Sequence, residues 1–164
     1  EKTVILGDGR LGILCAWTLS TVLSDVTLMG RRLKKLRLAK WRNIKIISNA
    51  VDIAREANIV VDATGSADGL VRAMEICAPR GTIVLKTVLA KDYKINLSPL
   101  VVNEQTVVGS RCGRFEKAAK LLLEYPDMPL QRRGTGTYSL ENWQEAFETA
   151  KARDSRKILI DMGT

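Results

Sequence analysis

Histidine is absent from this 164-residue chain, which removes the commonest general base and the commonest metal ligand and rules out any His-containing zinc site built from these residues alone. Cysteine is scarce. Cys15, Cys77 and Cys112 are odd in number, far apart and set in apolar or glycine-rich surroundings, so they form neither a disulfide framework nor a paired metal-ligand spacing. A reduced, cytoplasmic setting is the simplest expectation. Long apolar runs are missing too: Ile59-Val60-Val61 and Thr82-Ile83-Val84-Leu85 fall far short of the roughly 20 residues a membrane-spanning helix needs, so no membrane partner is expected. There is no initiator Met and no basic-then-apolar leader; Glu1-Lys2 runs straight into a strand pattern, the opening expected of a domain trimmed from a longer protein.

What is present fits an ordinary globular domain, with 46% hydrophobic residues and a net charge of +8. Much of that charge lies in Arg31-Arg32-Leu33-Lys34-Lys35-Leu36-Arg37-Leu38-Ala39-Lys40-Trp41-Arg42. Such a cluster attracts anions, whether nucleic acid or a phosphorylated cofactor, or simply forms the solvated face of a helix. Aromatics are sparse in it, so Trp41 reads as a helix anchor rather than a base-stacking platform, and no nucleic-acid partner is expected.

Periodicity places a strand at Thr3–Leu6, then a helix with Leu11, Leu14, Cys15, Thr18, Leu19 and Val22 on one face. A strand over Asp25–Met29, a basic helix from Leu33 to Trp41 and a strand at Ile44–Ile47 follow. Val51–Ala57 reads as helix, Asn58–Asp62 as a strand buried on both faces, and the segment from Leu70 to Cys77 as a helix closed by Pro79 and Gly81 before a strand over Thr82–Val88. A looser stretch, Ala90–Glu104, leads to a strand at Gln105–Ser110, after which Phe115, Ala118, Ala119, Leu122 and Leu123 mark a helix. Beyond a glycine-rich Arg133–Gly136, Ser139 suits an N-cap for a helix carrying Trp143, Ala146, Phe147 and Ala150, and Lys157–Asp161 makes a last strand. Strands alternating with single helices, without hairpin signals, predict an α/β fold: a Rossmann-like, doubly wound parallel sheet in a three-layer α/β/α sandwich.

Gly7-Asp8-Gly9-Arg10-Leu11-Gly12 is a full GxGxxG directly after a strand and at the start of a helix. The first glycine permits a tight turn, the second lets a pyrophosphate approach the backbone, and the third allows helix and strand to pack closely, while the helix N-terminus offers N–H groups and a positive dipole. The alternative is a glycine turn that serves packing only. Where the fingerprint usually carries an acid for the ribose 2′-hydroxyl, this chain has Gly30-Arg31-Arg32; the two arginines would donate to a 2′-phosphate, so NADP(H) is expected over NAD(H). Read instead as the start of the basic helix, Arg31 and Arg32 leave that preference open.

Together, Val4–Gly12, Val60-Val61-Asp62-Ala63-Thr64-Gly65, Pro79-Arg80-Gly81-Thr82-Ile83-Val84 and Val107-Val108-Gly109-Ser110 resemble the nucleotide-binding domain of the zinc-type medium-chain alcohol dehydrogenases. The tail, Tyr138-Ser139-Leu140-Glu141 through Ala146-Phe147-Glu148 to Lys157-Ile158-Leu159-Ile160, resembles that family's C-terminal end. The resemblance implies that Gly7, Gly9, Arg10, Leu11 and Gly12 hold the pyrophosphate, that Thr64 and Gly65 lie near a ribose, and that Lys86, Thr87 and Val88 run beside the nicotinamide. Arg111 and Cys112 would fall in the segment whose backbone meets the carboxamide or the nearby phosphates. For each of these a strand end packed in the core is the alternative. Members of that family carry a further N-terminal domain supplying the ligands of a catalytic zinc, so zinc is expected only there. No metal ligand or catalytic residue is assigned to this chain, which is expected to bind cofactor without turning over an alcohol or carbonyl substrate.

Residues 1–113 are expected to form the dinucleotide-binding domain, and 114–164 the helices and strand that complete it and face the missing domain. A homodimer through the edge strand 105–110 is expected as well. Two other classes share the pattern: a non-catalytic nucleotide-sensing or interaction module, and a methyltransferase using S-adenosylmethionine, which normally has an acid where Gly30 stands. Cys112 beside Arg111 lacks a base to make it a nucleophile. Cys15 and Cys77 read as core, and Asp62 as a turn-bonding residue.

Overall fold

The computed structural model describes residues 1–48, 55–130, 134–152, 155 and 157–163. Six strands, β1 (Thr3–Leu6), β2 (Val26–Met29), β3 (Lys45–Ile47), β4 (Ala57–Asp62), β5 (Cys77–Leu85) and β6 (Thr106–Gly109), form one parallel sheet in the order β3-β2-β1-β4-β5-β6. Val4, Ile5 and Leu6 are all buried; because neighbouring strand residues point to opposite faces, the sheet is covered on both sides. That is the doubly wound order, with the chain reversing direction across the sheet between β1 and β4, and there Ile5 pairs with both Leu28 and Val61. No helix among the described residues is long and apolar enough to cross a membrane.

The first helix, α1 (Arg10–Ser20), buries Gly12, Ile13, Ala16, Trp17 and Ser20. The face expected from the leucines is therefore turned away from the core, with Leu11 41% and Val22 77% exposed. Gly12 sets this phase: a Cβ there would lie 1.9 Å from the Gly7 carbonyl oxygen, so the helix rests on the strand through its third glycine and the residues in register with it. Cys15 is accordingly half-buried rather than core. The basic helix, α2 (Leu33–Leu38), stops short of Trp41, because the Trp17 indole N–H donates to the Ala39 carbonyl (3.0 Å) and Arg42 takes a left-handed backbone (φ 52°).

Of the helix expected over Val51–Ala57, residues 51–54 lie outside the described residues and Ala57 opens β4. The helix α3 (Asp68–Ile76) ends before Cys77, which starts β5 well ahead of the expected Thr82. Register slips between Ala57 and Ile59 to absorb the residues between, and Gly81 sits where a Cβ would meet Cys77 Sγ at 2.6 Å. β5 also ends early, at Leu85. The Lys86 and Thr87 N–H groups both donate to the Asp62 carbonyl (2.9 and 3.0 Å), which turns the chain off the ladder and leaves Val88 90% exposed. The stretch read as loose contains a one-turn helix, α4 (Ser98–Val102), with Pro at its start.

The helix α5 (Phe115–Glu124) has no buried residue among those described. It falls within the first of two compact units, Glu1–Pro126 and Asp127–Thr164. In the second unit Gly134–Ser139, which includes most of the glycine-rich stretch, is a strand, β7; it pairs in parallel with β8 (Lys157–Asp161). Between them lies α6 (Trp143–Lys151), and the Tyr138 hydroxyl meets Thr149 Oγ1 at 3.0 Å. Ser139 precedes a 3-10 turn, Leu140–Asn142, rather than capping α6 directly.

Candidate cofactor site

The loops after β1 and β4 meet where the strand order reverses, and Ala63 N–H donates to the Leu6 carbonyl (2.9 Å). In the first loop the three motif glycines differ. Gly7 has φ +118° and a Cβ there would come within 2.5 Å of the Ala63 carbonyl oxygen, while Gly12 is pressed on Gly7. At Gly9 a Cβ would meet nothing within 4 Å. Gly9 is also the N-cap of α1 and supplies no side chain to the first-turn N–H groups, so the helix terminus points unscreened partial positive charge at open space.

A cleft of about 440 Å³ opens there, within the roughly 300–1,000 Å³ usual for ligand sites. It is lined by Gly7, Gly9, Gly30, Arg31, Arg32 and Thr64, with Asp68 and Arg72 farther along. A second cleft of about 410 Å³ shares its Asp62 with Thr87 and runs to Leu89 and Tyr93.

Asp8, which sequence reasoning passed over, organises the first cleft. It is 5% exposed. One carboxylate oxygen accepts the N–H groups of Arg31 (2.9 Å) and Arg32 (2.7 Å), and the other accepts Nε (2.9 Å) and Nη2 of Arg32. Burial pushes this carboxyl upward, but the Arg32 hydrogen bonds and charge and the two amides outweigh it, holding Asp8 below the ordinary carboxylate value. Gly30 is required opposite, since its Cβ would sit 2.5 Å from Asp8 Cβ. A carboxylate thus stands beside the end of β2, reaching it from inside the glycine turn, with its oxygens taken up by Arg31 and Arg32. An acid within GxGxxG together with a glycine at the β2 end was the available signal.

At the end of β4, Asp62 is 1% exposed and plays the turn-bonding part expected of it. Its Oδ1 accepts Thr64 N–H (3.0 Å), Thr64 Oγ1–H (2.7 Å) and Thr87 Oγ1–H (2.9 Å), while Gly65 N–H donates back to Thr87 Oγ1 (3.1 Å). The hydroxyls of Thr64 and Thr87 are thus committed to Asp62, and what this loop offers a ligand is mainly backbone, with Gly65 at φ +65°. Lys86 Nζ donates to the Arg111 carbonyl (2.5 Å), tying the ends of β5 and β6 together. Arg10 is exposed, Leu11 is 41% exposed at the start of α1, and Val88 and Cys112 are exposed and line neither cleft.

Burial raises the Cys15 thiol, only partly countered by Lys86, and raises Cys77 to about 11, so both are protonated at neutral pH. The Trp41 ring is engaged edge-on by Tyr125 at 6.1 Å, with the Arg42 guanidinium 5.6 Å from its centroid. Trp41 was expected to anchor the basic helix, but that helix ends at Leu38 and the ring packs instead beyond it, on Tyr125 and Arg42. Among the described residues no group of three His, Cys, Asp or Glu side chains is placed to hold a metal ion.

A parallel sheet in this order, with a glycine turn opening a helix at its switch point, defines the class: a Rossmann-type domain. Residues 1–162 match the family model described as glucose dehydrogenase C-terminus, and the chain belongs to that family of oxidoreductase domains. It is 25% identical to a sorbitol dehydrogenase of Bombyx mori over 98% of this chain and 51% of that protein. A glucose 1-dehydrogenase 2 of Vulcanisaeta moutnovskia is 31% identical over 90% of this chain and 47% of its own length. Among solved structures, Haloferax mediterranei glucose dehydrogenase in complex with NADP, Zn and gluconolactone superposes with a TM-score of 0.75 at 19% identity, covering 100% of this chain and 51% of that one. The chain spans about half the length of the relatives it matches.

Proposed function

We propose that this chain is the NADP(H)-binding part of a zinc-dependent dehydrogenase acting on a polyol, sugar or related alcohol or carbonyl compound. The observation that carries the reading is the contrast between the glycines: two are closed by backbone, while Gly9 faces open space beneath an uncapped helix terminus. Family membership and the names of the relatives support the dehydrogenase reading over a sensing or interaction module.

In this reading the backbone from Gly7 to Gly12 holds the diphosphate, and the Arg31–Arg32 corner faces the adenosine ribose and favours a 2′-phosphate. Thr64 and Gly65 border a ribose through backbone atoms. Lys86 and Thr87 hold the floor of the nicotinamide end, with Val88, Arg111 and Cys112 at its rim. The bound dinucleotide supplies the hydride acceptor or donor. Polarising the substrate oxygen and accepting its proton fall to residues outside this sequence, in the half of the relatives that this chain does not match.

Phe115, Leu122 and Leu123, exposed along α5, support a role for residues 114–164 in packing against such a domain. The edge position of β6 supports a homodimer through 105–110, which light scattering would test. The unpaired cysteines support a cytoplasmic location.

The test is calorimetric titration of this chain and its Gly9→Val variant with NADPH and NADH. The expected result is tighter NADPH binding that the variant loses without a change in melting temperature. A wild-type chain that binds neither nucleotide at millimolar concentration would overturn the reading.

A further inference from the structure

The two arginines at the end of β2 stand in different circumstances. Asp8 can accept about four hydrogen bonds, and all four donors are present: two backbone amides on one oxygen, Nε and Nη2 of Arg32 on the other. Arg32 is therefore engaged side-on by a carboxylate whose side chain is 6% exposed. Arg31 shares the same backbone anchor, yet its side chain is exposed and makes no hydrogen bond or ion pair among the described residues. Arg72, which lines the same cleft, is paired with Glu75.

We propose that Asp8 is a positioning residue for cofactor choice, holding Arg32 in the wall of the cleft so that Arg31 alone is the cation that meets the 2′-phosphate. The inference rests on the NADP(H) reading above. Its physical basis is that only the carboxylate of this pair is buried, the Arg32 side chain being 44% exposed: drawing Arg32 onto a phosphate would strip that buried carboxylate of its cation, a cost that offsets much of what the new contact returns. Among the described residues the Arg31 side chain has no partner to abandon. The two amide bonds to Asp8 fix the backbone from which the Arg31 side chain departs, so the free guanidinium starts from a defined position at the cleft mouth.

The experiment compares NADPH and NADH affinities and melting temperatures for the wild-type chain, Arg31→Ala, Arg32→Ala, and Asp8→Asn combined with Arg32→Ala. Arg31→Ala is expected to weaken NADPH by about ten- to a hundredfold, the loss of a charge-assisted contact, while leaving NADH and the melting temperature near wild type. Arg32→Ala is expected to weaken both nucleotides by a common factor and to lower the melting temperature. The double variant leaves no buried charge unpaired; it regains melting temperature and keeps the wild-type NADPH:NADH ratio. Selective loss of NADPH in Arg32→Ala or in the double variant, or an unchanged ratio in Arg31→Ala, overturns the division of roles while the cofactor reading stands. A wild-type chain that binds neither nucleotide overturns both.

Discussion

Two aspartates near the ends of adjacent strands, Asp8 after β1 and Asp62 closing β4, do the same structural job with different partners. Both are almost wholly buried, at 5% and 1% exposure, and each gathers a loop around its carboxylate. Asp8 draws in a cation and two amides, whereas the protein donors on Asp62 Oδ1 are neutral: one amide and two hydroxyls. The difference maps onto the ligand each loop would face. Beside a phosphate the protein needs positive charge held in reserve and in place. Beside a ribose or nicotinamide it needs a rigid edge without excess charge.

The contrast can be broken most severely at its shared support. Gly12→Ala puts a methyl 1.9 Å from the Gly7 carbonyl; backbone cannot yield there, and a loss of about 3 kcal/mol or more is expected in chemical denaturation, enough to threaten folding. Asp62→Ala comes next. It leaves Thr64 Oγ1, Thr87 Oγ1 and Thr64 N–H without their acceptor, an expected loss of about 2–3 kcal/mol that Asp62→Asn should halve, read by thermal melting.

Asp8 sharpens the comparison through pH. Its folded carboxyl titrates below the ordinary 3.8, so ionisation stabilises the fold fully above that value. The contribution disappears as pH falls through the lowered one. A melting-temperature profile from pH 6 to pH 2 should lose part of its acid slope in Asp8→Asn; an unchanged slope would mean the Arg32 pairing contributes nothing to stability. The smallest effect on stability, within about 0.5 kcal/mol, is expected for Gly9→Val, where the new side chain enters open space, even though the same change should abolish nucleotide binding.

Elements whose limits are set locally were legible. β8 matches Lys157–Asp161 and β1 ends where Gly7 must turn, because the residues that delimit these strands are adjacent in the chain. The end of α2 and the start of β5 were not. Trp17 reaching Ala39 and Glu56 N–H bonding the Ile76 carbonyl are decisions made across about 20 residues of intervening chain. The phase of α1 was misread for a related reason: hydrophobicity favoured the leucine face, but a glycine contact with no hydrophobic signature fixed the helix rotation. At the site, the glycines and the arginine corner could be named from pattern, while the commitment of Thr87 and Arg32 to buried carboxylates could not. Hydrogen-bond partners 22 to 25 positions apart leave no periodic trace.

The contact between Gly30 and Asp8 also constrains how such a sequence can evolve. Acquiring an acid at position 30, the familiar route toward an unphosphorylated cofactor, would drive a Cβ to 2.5 Å from that of Asp8. Removing Asp8 first would leave Arg32 and two amides without their acceptor. Either single step passes through a weakened protein. Positions 8 and 30 are therefore epistatic, and lineages that switch cofactor should change them as a pair.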